Sequence, residues 1–283
     1  MKQKNNKNKQ RFKTGRILYY VFMTAFSVFT LFPIYFAIIS SFKNDMDIFL
    51  SPFSLPEGLK FSNYVRAFKI GNIGICFINS LILTVGTIFI AGFTGTLASY
   101  ILARFKFKLK NFIFILFVAG MMIPIQTTII PLAYTYGGMG LTNSYTVLIL
   151  LFCAFQLPIT VFIVTGFLKS IPSEIEEAAI IDGCNPWQVF CNTIVPLSLP
   201  AISTASVFNF LFAWNNLLFP LVFISEKKMQ VIALGLQSFF AEMTSDYGGV
   251  MAAIVISIMP PMIAYILLQE KVEKGLTAGA VKG

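Results

Sequence analysis

Long apolar runs separated by short polar segments are the dominant pattern of this chain. Each run holds roughly 20 to 28 residues, enough for a helix to cross about 30 Å of hydrocarbon. Six runs can be drawn, at about 17–41, 75–103, 111–135, 144–168, 201–225 and 249–269. The pattern predicts an all-α integral membrane protein with six transmembrane helices and a helical cytoplasmic loop between the fourth and the fifth.

The positively charged residues give the predicted orientation. Of 21 Lys and Arg residues, fifteen lie on the side of the two termini and six in the opposite loops. Cytoplasmic segments of membrane proteins carry the excess of Lys and Arg. Both termini are therefore predicted to be cytoplasmic in a bacterial plasma membrane, with a basic tail at 1–16, a transmembrane domain at 17–269 and a second cytoplasmic tail at 270–283.

The composition favours lipid over nucleic acid as the partner of the basic surface. Charged residues make up 12% of the chain, against about 25% in a soluble domain. The net charge of +9 could suit either partner, but seven cations without an acid precede the first apolar run. Such a flank suits an anionic leaflet, so we expect contacts with membrane lipid and no nucleic-acid binding.

The cytoplasmic insert 169–200, between the fourth and fifth predicted spans, carries the most specific pattern in the chain. It reads KSIPSEIEEAAIIDGCNPWQVFCNTIVPLSLP. A helix is predicted from about Ser173 to Ile181, with Ser173 as its N-cap and Glu176 as the capping-box partner. The acidic first turn suits the positive end of that helix.

A glycine turn and a second short helix are predicted to follow. Gly183, after an aspartate, supplies a turn in which the backbone can take a positive φ. Asn185 is the expected N-cap of a helix through about Asn192, and Pro196 and Pro200 are expected to end it. The two helices present an apolar side comprising Ala178, Ala179, Ile180, Trp187, Val189 and Phe190. Because the loop is acidic, a protein partner suits this side better than an anionic leaflet.

The same stretch resembles the EAA loop of ABC importer permeases. Glu177-Ala178-Ala179, then Gly183 and Pro196, match the pattern of that loop in residue type and spacing. In the family this loop is the coupling helix, which docks in a groove of the ATP-hydrolysing subunit. The resemblance thus implies that these five residues couple the chain to an ATPase.

Further segments resemble the carbohydrate branch of that family, and in particular the second permease of maltose-type importers. They are MIP with Gln126 and IPL, then GLTNSY, WNNLLF and the terminal KGLTAGAVKG. The resemblance implies a homologous second permease subunit, a pair of ABC ATPase subunits, an extracellular sugar-binding protein and a sugar substrate. It also implies that the outer loop 226–248 touches the binding protein and that the tail from Gly275 docks on the ATPases, although a disordered terminus is an alternative for that tail.

The residues themselves offer no internal energy source. The chain has no Gly-x-x-x-x-Gly-Lys-Ser/Thr phosphate loop, no histidine, and none of its twelve acids inside a predicted span. Its four cysteines lack the spacing of a metal site. We therefore predict a non-catalytic transport subunit with no metal and no cofactor. A permease for an osmolyte or a peptide, or an ion-coupled secondary transporter, remains as an alternative.

Neutral polar side chains within the spans are the candidate substrate pathway. Amides and an indole can bind and stack on a sugar, and the candidates are Gln126, Asn209, Trp214, Asn215 and Asn216. Asn209 and Asn216 are expected on one face of the fifth span, seven residues apart. The alternative is that such amides form interhelical hydrogen bonds, worth about 0.6 to 2 kcal/mol each.

Overall fold

The computed structural model describes residues 2–242 and 246–280, with the side chains of 16–241 and 246–269. Over these ranges the chain is helical and contains no strand. The α-helices are α1 (Lys2–Ser40), α2 (Asp45–Leu50), α3 (Ser62–Lys69), α4 (Ile73–Arg104), α5 (Lys110–Gly120), α6 (Ile125–Gly138), α7 (Tyr145–Leu168), α8 (Glu174–Ile181), α9 (Pro186–Val189), α10 (Val195–Leu197), α11 (Leu199–Asn215), α12 (Leu218–Phe223), α13 (Ile232–Glu242) and α14 (Tyr247–Ala280).

Four of these helices are long and apolar enough to cross a membrane by themselves. They are Arg16–Ser40 within α1, all of α4, all of α7, and Tyr247–Gln269 within α14. Two further pairs qualify only when each is taken as one broken span: α5 with α6, bent by 93°, and the Pro186–Leu197 stretch with α11, bent by 74°. The described residues thus contain four to six candidate spans in an all-helical chain.

Prolines and a polar pair account for the breaks in the third and fifth predicted spans. Pro124 lacks an amide hydrogen and disfavours helical backbone at the residue before it, and α5 ends just ahead of it. In the fifth span the helix ends at Asn215 and restarts at Leu218. Neither run, 111–135 or 201–225, is the single helix that its hydropathy suggests.

The described residues divide into two compact units. One consists of the described parts of Met1–Gly71 and Phe239–Ile256, the other of those of Asn72–Ser238 and Ser257–Gly283. The predicted tails 1–16 and 270–283 continue α1 and α14 as helix, up to Ala280. Almost all of their side chains, and hence any role of the segment from Gly275 in docking, lie outside the described residues.

The second unit is built around the contact of α4 with α7 and α11. Small residues on α4 allow close approach: a Cβ at Gly95 would lie 2.5 Å from Cγ2 of Thr160. The Ser99 hydroxyl, which donates to the Gly95 carbonyl of its own helix at 2.7 Å, also lies 3.3 Å from the Val161 carbonyl oxygen across the same contact. Ala91, Gly95 and Ser99, spaced four residues apart and all buried, thus form a small-residue face of α4 that packs inside the chain.

The first unit holds a polar cluster at the end of α3. The Nε and a terminal nitrogen of Arg66 donate to the two carboxylate oxygens of Asp246 at 2.7 and 2.8 Å. Arg66 also donates to Asn63, whose amide in turn donates to the carbonyls of Ser41 and Lys43 at 2.8 Å each. This cluster joins the segment after α1 to the residue that precedes α14.

Candidate coupling loop and pathway residues

The turn after α8 has the geometry that the sequence predicts. Gly183 has φ of +88°, and its amide donates to the Ile180 carbonyl at 3.0 Å. The amide of Cys184 donates to the carbonyl of Ala179, also at 3.0 Å. These two bonds make the Schellman ending of a helix, in which glycine takes the left-handed position. A side chain at Gly183 would meet open space, so backbone conformation explains this glycine.

The predicted capping box at the start of α8 is wrong. Ser173 makes no side-chain cap hydrogen bond, and its backbone is helical (φ −72°, ψ −21°) rather than extended as at a typical N-cap. The side chain of its expected capping-box partner is engaged elsewhere. Glu176 is buried and forms an ion pair with Arg104, the last residue of α4. Arg104 also donates to the Ile171 carbonyl at 3.0 Å. The first turn of α8 is thus tied to the end of α4.

The second short helix begins as predicted but ends later. The Asn185 side chain accepts from the Gln188 amide at 2.9 Å, and the Gln188 side chain accepts from the Asn185 amide at 2.8 Å, which completes a capping box. The helical residues then run to Leu197 rather than to about Asn192. Pro196 does not end them, because a π-helical turn at Phe190–Ile194 precedes it. Such a widened turn accommodates a proline that cannot donate an intrahelical bond.

The apolar side of the loop is only partly free. Val189 and Phe190 are buried against Tyr100, Val164 and Leu168 in the core of the second unit. Large apolar side chains nevertheless remain exposed: Ile180 at 60%, Ile181 at 84% and Trp187 at 54%. Of the motif residues, Glu177, Ala178, Gly183 and Pro196 are exposed and Ala179 is half-buried. The loop therefore offers an apolar and acidic surface around the Gly183 turn.

Two of the five pathway candidates are buried in helix contacts. The Asn209 amide donates to the Thr160 hydroxyl at 3.2 Å, joining α11 to α7, and Asn209 is 0% exposed. The indole of Trp214 donates to the Ser257 carbonyl at 3.1 Å and stacks on Phe210 at 5.8 Å between ring centroids. For these two side chains the geometry is that of packing within the chain.

The other three candidates have partly or fully exposed side chains. Gln126 is exposed in the first turn of α6, and Asn215 is exposed while donating to the Leu211 carbonyl of its own helix at 3.0 Å. Asn209 lies within α11, whereas Asn216 is its C-cap residue, one position beyond the last helical residue, Asn215. The side chain of Asn216 accepts from the Phe219 amide, in the first turn of α12, at 3.2 Å.

The segment after α12 folds back onto the other end of α4. The Asn79 side chain donates to the carbonyls of Lys228 and Gln230, both at 2.9 Å. The Ser80 hydroxyl accepts from the Ile232 amide at 2.7 Å. A Cβ at Gly235 would lie 2.4 Å from the Cys76 sulfur. The first part of the predicted outer loop 226–248 is thus held closely against α4, and 243–245 lie outside the described residues.

Residues 95–278, which include the whole loop around Gly183, match the family described as binding-protein-dependent transport system inner membrane component. The chain belongs to this family.

Several relatives of this inner membrane component are similar over nearly the whole chain. It is 33% identical over 258 residues to the diacetylchitobiose uptake system permease protein of Streptomyces coelicolor, covering 90% of this chain and 85% of the relative. It is 32% identical over 252 residues to the melibiose/raffinose/stachyose import permease protein of Bacillus subtilis, covering 89% and 91%. It is 30% identical over 273 residues to the sulfoquinovosyl glycerol transport system permease protein of Agrobacterium fabrum, covering 96% of each.

A solved structure supports the fold. A chain in the crystal structure of a bacterial ABC transporter, involved in the import of the acidic polysaccharide alginate, matches this inner membrane component with a TM-score of 0.76. The match covers 90% of this chain and 95% of that one at 20% sequence identity. At this identity the likeness shows the shared fold alone.

Sequence reasoning missed the ion pair that anchors the loop of this transport component. In the sequence Arg104 is one of four cations between the second and third predicted spans, and Glu176 is the predicted capping-box partner of Ser173. One signal was present: Glu176 and Ala179 lie three residues apart and so share a face of α8, away from Glu177 and Ala178. The structure turns that shared face inward, toward the end of α4.

Proposed function

We propose that this chain is a transmembrane permease subunit of an ATP-binding-cassette importer for a sugar or oligosaccharide. An extracellular binding protein delivers the substrate, and partner subunits hydrolyse ATP. The observation that carries the proposal is the loop at 169–200, whose exposed EAA surface surrounds a Schellman turn at Gly183. Family membership supports the same assignment.

The loop is suited to dock in a partner ATPase. Ile180, Ile181 and Trp187 are exposed. An exposed apolar patch of this kind on a loop that faces the cytoplasm is typical of a protein–protein interface. Glu177 supplies a carboxylate for a polar contact, and the small side chain of Ala178 allows close approach. These residues, with Ala179, Gly183 and Pro196, are the proposed coupling site.

The proposed topology has six spans, of which the third is the bent pair of α5 and α6 and the fifth is formed by α11 and α12, so that 186–197 stays in the cytoplasmic loop. Both termini then lie in the cytoplasm, in agreement with the excess of Lys and Arg on their side. The transmembrane domain is 17–269, flanked by cytoplasmic tails at 1–16 and 270–283. This subunit pairs with a homologous second permease and with two ATPase subunits in the bacterial plasma membrane, and the outer loop meets the binding protein.

A sugar is the proposed substrate class because three relatives are named for the uptake of glycosides. The exposed amides of Gln126 and Asn215 are the strongest pathway candidates in this chain, since amides bond sugar hydroxyls without a charge. Asn216 is a further candidate, and Asn209 and Trp214 support the pathway from within helix contacts.

The proposed mechanism is alternating access. ATP binding closes the partner subunits, the loop at 169–200 follows the groove in which it docks, and the two permeases rock so that the pathway opens outward. All twelve acids lie outside the predicted spans, so no predicted span carries a carboxylate of the kind that ion-coupled carriers usually place within the membrane. Energy therefore enters through the loop.

The test is reconstitution of the complete complex in proteoliposomes. This chain is expressed with its second permease and ATPase, and its binding protein is added outside. Uptake of a labelled sugar panel is then measured with and without ATP inside. We expect uptake to require ATP and the binding protein together.

Each alternative gives a different result in the same assay. Uptake driven by a proton or sodium gradient, without ATP, would overturn the proposal in favour of a secondary transporter. ATP-dependent uptake of an osmolyte or peptide, with no response to any sugar, would keep the importer and overturn the substrate class. Omitting the binding protein is the matched control for leak.

A further inference from the structure

Helix α4 is an uninterrupted helix that is held at both ends. It contains 32 residues, which at 1.5 Å per residue give a length of about 48 Å. It is the one candidate span among the described residues that contains no proline. The helix therefore lacks the common cause of sharp kinks.

The loop end of α4 is fixed by charge. The ion pair of Arg104 with Glu176 is largely shielded, with 15% and 10% of the two side chains exposed. Arg104 also donates to the carbonyl of Ile171, which precedes α8. Breaking a buried pair by removing one partner is costly because a charge is left uncompensated. The first turn of α8 therefore cannot shift far without moving the end of α4.

The opposite end of α4 is fixed by hydrogen bonds to the segment 228–232. Asn79 donates to two carbonyls of this segment, and Ser80 accepts from the amide of Ile232. Both side chains are buried, so these bonds are shielded from water. From Asn79 to Arg104 the helix covers 25 steps of 1.5 Å, about 38 Å.

Close packing along the middle of α4 leaves little room for bending. A Cβ at Gly86 would lie 2.7 Å from Cδ1 of Ile149, and one at Gly95 would lie 2.5 Å from Thr160. The neighbouring helix α7 also reaches the segment 228–232, through the Tyr145 hydroxyl, which donates to the Met229 carbonyl at 3.1 Å. The two helices therefore support the same segment side by side.

We infer that α4 transmits movement of the coupling loop to the segment 228–232 on the opposite side of the membrane. Movement of that segment is passed back to the coupling loop in the same way. Arg104 and Glu176 are positioning residues at one end, and Asn79 and Ser80 are positioning residues at the other. The inference rests on the proposed function, because it takes α8 as the ATPase contact and the outer loop as the contact of the binding protein. Each partner then influences the affinity of the other, since coupling between two sites is reciprocal.

The experiment uses the complete reconstituted complex and two substitutions that keep side-chain size. Glu176→Gln removes the charge at the loop end, and Asn79→Leu removes both hydrogen bonds at the outer end. The affinity of the sugar-loaded binding protein for the complex is measured with and without a non-hydrolysable ATP analogue. The ratio of these two affinities is the coupling. We expect each substitution to reduce that ratio by about two- to thirtyfold, the range that mutations along coupled networks produce.

The double variant decides whether the two ends belong to one connection. If α4 carries the coupling, then breaking it at both ends costs no more than breaking it at one, so the two effects are not additive. If the fold-reductions of the two single variants multiply in the double variant, the two ends belong to independent routes and the inference is overturned. It is also overturned if the single variants have the same affinity ratio as the parent complex. Thr94→Ala on the exposed side of α4 is the matched control and should leave the ratio unchanged.

Folding defects are separated from lost coupling by a second set of measurements. Glu176→Asp keeps the charge on a shorter side chain and should retain more coupling than Glu176→Gln. A purely structural defect would instead lower the yield of the complex in proportion to the loss in the affinity ratio. Failure of the proposed function itself shows in the parent complex, as uptake that needs neither ATP nor binding protein. Failure of the inference shows only in the variants, with parental uptake intact.

Discussion

Arg66 holds Asp246 through two parallel hydrogen bonds across 180 residues of sequence, Nε to Oδ2 at 2.7 Å and a terminal nitrogen to Oδ1 at 2.8 Å. The Gly249 amide donates to the same carboxylate at 2.9 Å. Hydrogen bonding from Arg66 is the main reason that the pKa of Asp246 lies below its ordinary value. The pair is partly open to solvent on the arginine side.

This pair predicts a specific dependence of stability on pH. Since the pKa of Asp246 is lower in the folded chain, its stabilisation is complete above the ordinary carboxyl pKa of about 3.9 and is lost as the pH falls through the folded value. Asp246→Asn removes that contribution at neutral pH, about 0.2 to 1 kcal/mol for a pair exposed to this degree. Thermal unfolding of the purified chain is measured between neutral and acidic pH.

The difference between parent and variant is the decisive quantity. The parent should unfold at a higher temperature at neutral pH, and the two curves should converge as the pH falls below the ordinary carboxyl value. The pKa of Arg66 is raised by the same hydrogen bond to Asp246, so this arginine stays charged throughout and adds no slope. A constant offset between the curves at every pH would contradict the assignment.

Gly183 gives a prediction on coupling. Its φ of +88° is tolerated by asparagine and aspartate better than by most residues, and the space beside it is open. Gly183→Asn should therefore retain much of the uptake, whereas Gly183→Asp adds a charge next to Asp182 on the docking surface and should abolish transport. Both variants should reach the membrane in parental amounts. Equal loss in the two variants would show that backbone conformation, rather than surface charge, is what the site needs.

Local chemistry explains which parts of the loop could be predicted from the sequence. The turn at Gly183 and the cap at Asn185 depend on residues within five positions of each other, so both can be predicted from the sequence alone. The pairing of Glu176 with Arg104 depends on how α8 meets α4, 72 positions away in sequence. A carboxylate in a first helical turn suits both a cap and an ion pair, and only the tertiary structure decides between them.

The membrane-spanning helices also divide into features that the sequence predicts and features that it does not. Hydropathy gives α4 and α7 nearly to the residue, because one unbroken apolar run makes each helix. Hydropathy fails at 216–217, where the apolar run continues around an Asn pair but the helix stops and the Asn216 side chain accepts from the Phe219 amide in the next helix. Hydropathy also cannot tell a pathway amide from a packing amide, since Asn209 and Asn215 differ only in what surrounds them.

Asn209 therefore yields a prediction that separates packing from transport. Asn209→Ala removes the bond to Thr160 between α11 and α7 and should cost about 0.6 to 2 kcal/mol, the range for interhelical hydrogen bonds in membranes. The control is Asn215→Ala, which removes an exposed amide bonded only within its own helix. Thermal unfolding in detergent should show a lower midpoint for Asn209→Ala alone. A changed KM for sugar uptake at unchanged stability would instead place Asn209 in the pathway.

Gly95 provides a test of the contact between α4 and α7. A methyl group at this position would lie 2.5 Å from Cγ2 and 3.0 Å from Cβ of Thr160, and overpacking of this kind costs about 1 to 3 kcal/mol. Gly95→Ala should lower the unfolding midpoint. Gly92→Ala, three residues earlier on the same helix and with nothing within 4 Å, should be neutral or stabilising, because alanine favours helix over glycine by roughly 0.5 to 1 kcal/mol.

The same contact can be relieved from the other side. Thr160→Ser removes the Cγ2 that the new methyl group meets while keeping the hydroxyl that bonds to Asn209. The double variant should therefore recover part of the stability lost in Gly95→Ala, which appears as a favourable coupling energy in a double-mutant cycle. Recovery is only partial because Cβ of residue 160 still lies 3.0 Å away. If the two substitutions add independently, α4 and α7 do not meet at this point, and α7 does not support α4 there.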